Sequence, residues 1–466
     1  MGWREKHKNA KVHRGFHYMT DTTMSSVQPH WSSRLMFIFA ASGSAVGLGN
    51  IWKFPYIVGE NGGGAFVLLY LACLIGLGAP LLIGEVFVGR KGGAYPASAF
   101  IKVALAKGRT RAWGGLGALG ATIALLILAF YSVVSGWVGI YAADFAVAAM
   151  GGEAARSGAD AFSAMLADPV AQLVAVSLIL LVAGTVIYYD VTGGIQEVMR
   201  YVAPFFAILL VAMLLMVAGT TGKFVDAFVY MFRPDFSALS AAAFGEALGH
   251  AFFTLSVGMC GMLIYGAYLD DGANIPRLGF AVAALDTGIA IAAALIIFPI
   301  VFAFDLEQGA GPGLLFIALP KGFTLLPYGN LFGLSFFVAT FLAAFSSLIA
   351  LLIIARHWIE ESTPLSGSGA TLLTVGVTWV SGTIVTLSLN MWDHLTLFGL
   401  GLLDFFDELT SAWLLPASGL GMALFVARAV VPDMQDGPLK SYLNICLSYI
   451  APIGILLLIA SKFIDF

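Results

Sequence analysis

Apolar runs long enough to cross a lipid bilayer recur along almost the whole chain, separated by short polar or glycine-rich stretches. A hydrocarbon core about 30 Å thick takes about 20 helical residues to span. The pattern predicts eleven such helices, over 33–58, 64–89, 115–148, 170–187, 196–219, 243–267, 276–303, 330–357, 369–388, 398–427 and 441–463. Residues 1–30 precede them as a polar, basic stretch without the apolar centre of a signal peptide, and are expected to form a cytoplasmic tail. Between the seventh and eighth runs, 304–329 carries its own apolar segment, Gly313-Leu314-Leu315-Phe316-Ile317-Ala318-Leu319-Pro320. A plain solvent-facing loop would be more polar, so this stretch is expected to pack down as an outer hairpin.

Two runs are interrupted from within. The first contains Gly43-Ser44-Ala45-Val46-Gly47-Leu48-Gly49-Asn50, and the sixth contains Ser256-Val257-Gly258-Met259-Cys260-Gly261. Glycine is a poor helix former. In hydrocarbon, a broken helix strands N–H and C=O groups, and the break survives only where protein, water or ligand takes them up. A kink packed through small residues is the plainer alternative. The two interrupted spans lie five apart, so they cross in opposite directions, as in an inverted repeat with a binding site between its halves. Tyr131 follows Ala45 by 86 residues and Ser346 follows Val257 by 89, which sets the third span against the eighth. The expected division is 31–219 for the first repeat (spans 1–5), 220–428 for the second (spans 6–10) and 429–466 for the eleventh helix and C-terminus.

Composition agrees. Of 466 residues, 59% are hydrophobic and 11% charged, with a mean hydropathy of +0.91; soluble proteins carry about 25% charged residues. The net charge of −4 says little, but its placement says more. With the N-terminus inside, 17 of the 23 Lys and Arg fall on the cytoplasmic side, among them Arg90, Lys91, Lys102, Lys107, Arg109 and Arg111. Arg156, Lys223, Arg233, Lys321 and Lys462 fall outside, and Lys53 lies within a span. This bias predicts a cytoplasmic N-terminus and an external C-terminus. Cys73, Cys260 and Cys446 lie far apart in apolar runs, which argues against a Cys/His metal centre or a disulfide framework. No HExxH or Ser/His/Asp set occurs in the spans, and the Gly-Leu-Gly text follows no strand, so neither an enzyme nor a nucleotide fold is expected. No nucleic-acid partner is expected either. Exposed half-helix ends have a charge sense: N-terminal amides attract anions and C-terminal carbonyls attract cations.

Three blocks carry a family resemblance. Trp31–Phe66 contains Gly-Leu-Gly-Asn-Ile-Trp-Lys-Phe-Pro-Tyr and then Glu60-Asn61-Gly62-Gly63-Gly64-Ala65-Phe66; Ala251–Gly258 reads Ala-Phe-Phe-Thr-Leu-Ser-Val-Gly; Asp404–Pro416 is the third. From Trp31 to about Ile464 the chain closely resembles the neurotransmitter:sodium symporters, in their shorter eleven-helix bacterial branch. The resemblance implies an all-α polytopic membrane protein with the leucine-transporter-like fold, in a bacterial-type plasma membrane. It further implies sodium-coupled uptake of amino acids by alternating access, by a monomer able to function alone, with a dimer left open.

Carried over by position, the resemblance implies two sodium sites. The first takes the Ala45 carbonyl, Asn50, Thr254, Asp286 and the substrate carboxylate. The second takes the carbonyls of Gly43, Val46 and Ala343 and the hydroxyls of Ser346 and Ser347. All-oxygen ligation suits a hard cation. For the two serines, bonding back to their own helix is the plainer reading. The substrate carboxylate is expected at Tyr131 and the amides of Leu48 and Gly49. Its amine is expected at the carbonyls of Ala45, Phe253 and Thr254, with Ser256. Its side chain would face Ile127, Phe253, Met259, Ser347 and Leu351, with Val46 nearby. Relatives that carry monoamines place an Asp where this chain has Gly47, so the substrate should bring its own carboxylate. A neutral, hydrophobic L-amino acid is the expectation.

Other positions follow in the same way. Glu85 resembles the family glutamate that supports the broken sixth span; a carboxylate reaching headgroup water is the alternative. Chloride-dependent relatives have Asn at Asp286 and Ser at Ala290, so transport is expected to need no chloride, and proton antiport stays open. His250, beside the outer gate, is expected to be a neutral hydrogen-bond partner. The outer gate would pair Lys53 with Asp407, with Asp404 on the same helical face and Tyr131 and Phe253 as a lid. At the inner gate, Tyr268 and Glu361 match the family pattern, but Gln28 stands where an Arg is usual, with Arg34 or Lys11 as substitutes. Gly194 and Pro204 mark an unwinding point in the fifth span. A channel would need a continuous polar pore, which these closures oppose. A non-transporting amino-acid sensor, and a carrier of another carboxylate-bearing small amine, are the competing readings.

Overall fold

The computed structural model describes residues 30–306 and 312–461. The tail over 1–29, with Gln28 and Lys11, lies outside the described residues, as does Lys462. The described chain is helical apart from a two-stranded hairpin. The helices are α1 (Arg34–Ala45), α2 (Gly49–Glu60), α3 (Gly64–Gly92), α4 (Pro96–Leu105), α5 (Arg111–Ala149), α6 (Gly158–Leu166), α7 (Pro169–Tyr188), α8 (Val191–Thr220), α9 (Phe224–Phe232), α10 (Ala241–Thr254), α11 (Gly261–Ala267), α12 (Ile275–Phe304), α13 (Leu314–Leu325), α14 (Gly329–Ser362), α15 (Gly367–Ser388), α16 (Leu402–Asp433) and α17 (Pro438–Ala460). Among the described residues, nine of these are long and apolar enough to cross a membrane, and α1 with α2 makes a tenth, bent by 60°. The pair α10 and α11, separated by 255–260, falls where the sixth apolar run was expected.

Polar residues at the boundaries set where helices start. Ser33, Asp168, Asn274 and Ser366 each accept a backbone amide at a helix N-terminus. Such caps satisfy amides that have no partner within the helix. The interior is built around α5 and α14, whose apolar residues are buried over much of their length. They approach closely at Gly333, where a Cβ would stand 2.3 Å from the Phe145 ring. By contrast, α8 leaves Ile208, Val211 and Leu215 more than half exposed, as suits a helix against lipid.

The outer loop packs inward through α13. Its Phe316 and Phe323 are fully buried against Trp137, Phe145 and Phe337, and Tyr141 donates to the Phe316 carbonyl at 2.8 Å. Hydropathy did not foresee α4, α6 and α9. Each is ten residues or shorter and too brief to stand out in a window sized for a bilayer. The tenth run was expected from 398 but its helix starts at Leu402. Residues Thr396–Leu397 (β1) and Leu400–Gly401 (β2) form a hairpin instead, turned by Phe398 at φ +53° and Gly399 at φ +82°.

Candidate functional site

The first break supplies the centre of the site. Helix α1 stops at Ala45 because Val46 turns extended, at φ −69° and ψ 109°. The freed backbone groups then find side chains. The Gly47 amide donates to Asn50 Oδ1 at 3.0 Å, and the Leu48 amide donates to Tyr131 Oη at 3.3 Å. The Ser44 carbonyl accepts from Ser256 Oγ at 3.0 Å and from Ser347 Oγ at 3.2 Å, and the Val46 carbonyl accepts from Ser347 Oγ at 3.1 Å. Residue 47 must be small: a Cβ there would stand 2.6 Å from Ser347 Oγ and 2.8 Å from Tyr131 Oη.

The second break lies opposite. Ser256, Gly258 and Cys260 have φ of +52°, +87° and +69°, so the chain reverses its twist repeatedly between α10 and α11. Glu85, fully buried on α3, accepts the Gly258 amide at 2.6 Å, and Ser418 Oγ donates to the Gly258 carbonyl at 2.5 Å. A buried carboxylate is tolerated when it is hydrogen-bonded, and this one holds an otherwise stranded amide.

A polar knot joins α2, α10 and α12. Asn50 Nδ2 donates to Asp286 Oδ1 at 2.8 Å, to the Asp286 carbonyl at 3.2 Å and to Thr254 Oγ1 at 3.1 Å. Thr254 Oγ1 donates to Asp286 Oδ2 at 2.9 Å. Asp286 is completely buried. The knot is all oxygen apart from the Asn50 amide nitrogen, a donor set suited to a hard cation.

Two cavities flank the first break. One is lined by Ser44, Ala45, Gly47, Leu48 and Gly49 from the break, with Ile127, Tyr131, Phe253, Ser256 and Met259. On α14 it meets Ser347, Ala350, Leu351 and Ile354. Among the described residues, none that lines it carries a charge. The other, of about 150 Å³, lies between α1, α8, α12 and α14 and is lined by Gly43, Val46, Ala343 and Ser346 together with Met199, Val202 and Ala203. Ser346 Oγ donates to the Ala343 carbonyl of its own helix at 2.9 Å.

A vestibule of about 260 Å³ shares Leu48, Gly49, Tyr131 and Phe253 with the first cavity, so the two rings stand between them. Its walls include Lys53, Asp404 and Asp407. Lys53 Nζ is 3.9 Å from Asp407 and 5.2 Å from the centre of the Phe253 ring. Both partners are partly open to water, with side chains 32% and 40% exposed. Such a pair contributes less than about 1 kcal/mol. At the start of the first span, the Trp31 amide donates to the Tyr268 carbonyl at 3.1 Å and its indole donates to the Tyr265 carbonyl at 3.0 Å.

With this geometry in place, likeness to known proteins decides the family. A family model described as the sodium:neurotransmitter symporter family matches residues 28–149 and 162–466. The chain belongs to that family. A sodium-dependent transporter of Bacillus subtilis, YhdH, is 33% identical over 427 residues, covering 89% of this chain and 92% of the relative. A sodium-dependent transporter of Haemophilus influenzae is 29% identical over 459 residues, covering 95% and 99%. The crystal structure of MhsT in complex with L-phenylalanine superposes with a TM-score of 0.84 at 33% identity, covering 94% of this chain and 100% of that one. This symporter is therefore a multi-pass membrane transporter with the leucine-transporter-like fold, and not an enzyme.

Within the symporter, ten of the twelve expected substrate residues line the first cavity. Val46 lines the second cavity instead, and Thr254 is turned to Asp286. The residues missed there are Ser44, Gly47, Ala350 and Ile354. The last two carried a signal: with Ser347 and Leu351 they follow i, i+3, i+4, i+7 spacing, one face of a helix. Of the second proposed sodium set, Gly43, Val46, Ala343 and Ser346 share a cavity, while Ser347 lines the other.

The residues expected at the inner gate depart most from expectation. Tyr268 Oη donates to Asp190 at 3.3 Å. Glu361 does not face it: its carboxylate accepts the Ala97 amide at 3.0 Å and the Ser98 amide, capping α4. Arg34 donates to the Gly272 carbonyl at 3.2 Å. At Gly194 a Cβ would stand 2.0 Å from the Val186 carbonyl, and Pro204 sits inside α8. His250 lies buried, stacked on Phe54 and tilted against Tyr70.

Proposed function

We propose that this symporter takes up neutral, hydrophobic L-amino acids by alternating access, coupled to two sodium ions and without chloride. The observation that carries the reading is the first cavity. Backbone from the 47–49 segment meets the Tyr131 hydroxyl at one end, and among the described residues only uncharged side chains line the rest. A carboxylate fits the Leu48 and Gly49 amides and Tyr131. An ionised side chain would be desolvated there without a partner. The relative solved with L-phenylalanine supports an aromatic amino acid among the substrates.

The first sodium ion is assigned to Ala45, Asn50, Thr254 and Asp286, with the substrate carboxylate. The second is assigned to Gly43, Val46, Ala343, Ser346 and Ser347. In this reading Ser346 gives up its bond to Ala343 when the ion enters. Asp286 supplies the fixed negative charge that chloride provides elsewhere, and a protonated return of Asp286 would add proton antiport. The domain division is that of a five-plus-five repeat with a final helix. The N-terminus is cytoplasmic and the C-terminus external, in a bacterial-type plasma membrane.

The energetics suit a concentrating carrier. Each positive charge moved inward across 100 mV yields about 2.3 kcal/mol. Two sodium ions with a zwitterion yield about 4.6 kcal/mol, which at about 1.4 kcal/mol per tenfold drives roughly a thousandfold accumulation. The test is uptake of labelled phenylalanine, leucine and glycine into proteoliposomes, with sodium or potassium outside and gluconate replacing chloride. Sodium-dependent accumulation of the first two in gluconate is the expected result. Sodium-dependent binding without accumulation would make the protein a sensor.

A further inference from the structure

The cytoplasmic end of α8 is held by one strained residue. Asp190, between α7 and α8, has φ +62°, a region unfavourable for a residue with a Cβ. Its Oδ1 accepts the Val191 amide at 2.8 Å and so caps the π-helical turn at 191–195. The same oxygen lies 3.3 Å from Arg356 Nη1 and 3.4 Å from His357 Nε2 on α14, and 3.3 Å from Tyr268 Oη at the end of α11. Arg356 and His357 are 7% and 4% exposed, whereas the Asp190 carboxylate is 41% exposed. The partners are fixed in the interior, and the group that ties them sits where water can replace it. Glu360 lies 3.6 Å from Arg356, so the buried guanidinium keeps a counter-charge if Asp190 leaves.

We infer that Asp190 is the cytoplasmic latch of this symporter, tying the start of α8 to α14 and α11 while the outer path is open. The inference deepens the alternating-access reading and rests on it. Three observations carry it beyond a static ion pair. First, one carboxylate joins three elements, so its release frees all of them together, as a two-state switch requires. Second, the segment it anchors is the part of α8 with an irregular hydrogen-bond ladder, a π-helical turn at 191–195 followed by Pro204. Gly194 admits no side chain, and Pro204 withholds an amide from the helix ladder. The lipid-facing remainder of α8 offers little packing to compensate. Third, Met199, Val202 and Ala203 of this segment wall the cavity that contains Gly43, Val46, Ala343 and Ser346. Movement of the start of α8 therefore opens that cavity toward the cytoplasm, and the latch controls exit from the second sodium position.

The test is hydrogen–deuterium exchange on the purified full-length protein in sodium, without substrate, in wild type, Asp190→Asn and Arg356→Gln. Asn keeps an acceptor for the Val191 amide and tolerates positive φ, so Asp190→Asn removes the charge and leaves the cap. The rate over residues 191–204 is compared with that over Gly114–Ala149. The latch predicts that this ratio rises at least tenfold in Asp190→Asn and also rises in Arg356→Gln. An unchanged ratio, or an equal rise in both segments from general loosening, overturns it. Sodium-driven uptake by the wild type is measured alongside. Wild type without uptake overturns the transport reading, whereas an unchanged ratio in a protein that transports overturns the latch alone.

Discussion

Asn50 reaches Asp286 twice, donating its side-chain amide to the carboxylate at 2.8 Å and to the backbone carbonyl at 3.2 Å. A carboxylate so placed sits at the N-terminal side of α2 and faces the break in the first span, where cations and the substrate would meet. Asp286→Asn preserves the shape and removes the charge. It should abolish uptake in chloride-free buffer, or make uptake rise with added chloride. Wild-type uptake by this variant in gluconate would show that the charge is not needed.

Gly47→Ala tests the fit of the break around its ligand. The added Cβ would meet Ser347 Oγ and Tyr131 Oη at 2.6 and 2.8 Å, closer than real Cβ contacts allow. Overpacking of this kind costs about 1–3 kcal/mol. Because the displaced groups line the cavity proposed for the substrate, the expected effect is a loss of at least tenfold in substrate affinity. The measure is the thermal shift produced by titrated phenylalanine in sodium; an unshifted midpoint would remove Gly47 from the site.

Glu85 holds the second break, and its substitutions should separate shape from hydrogen bonding. Glu85→Ala leaves the Gly258 amide without its acceptor and opens space in the interior. A buried amide left without its acceptor costs about 1–3 kcal/mol, so the melting temperature should fall. Glu85→Gln retains an acceptor and should fall less. Equal melting of all three proteins would place the support of the break elsewhere.

Asp190 gives a pH signature outside the bilayer. Burial pushes its carboxyl up, but the hydrogen bond and charge of His357 and the charge of Arg356 outweigh this and hold it well below the ordinary value of 3.8. The unfolded chain therefore takes up this proton first as pH falls. The stabilisation is present above about 3.8 and is lost as pH drops below it toward the folded value. The groups facing Asp190 are Arg356, His357, Tyr268 and Tyr95, with Glu360 behind Arg356. Melting of wild type and Asp190→Asn should differ at pH 6 and converge toward pH 2. A difference that persists to the lowest pH would mean that Asp190 acts through its shape and not its charge.

The inner latch also shows where reading the sequence stops. Asp190 and Arg356 are 166 residues apart, and nothing local in either segment pairs them. The family resemblance makes Glu361 the expected inner-gate acid, yet the nearby N-terminus of α4 captures it. That helix was itself invisible to a bilayer-length window. Helix N-termini compete well for carboxylates, and such competition depends on which ends lie close in space.

Hydropathy and glycine placement alone reveal lipid as the solvent of this protein, most of the apolar spans and the positions of both breaks. Those properties are local: hydrocarbon demands length and hydropathy, and glycine announces where a helix stops. The sequence also shows that no acid stands in the first break, where Gly47 takes the position. Tertiary structure alone decided which groups satisfy the broken backbone. Ser346 and Ser347 are adjacent in sequence, but a residue turns about 100° along a helix. Ser347 therefore reaches the Ser44 and Val46 carbonyls at one cavity, while Ser346 faces the other, beside Gly43 and Met199.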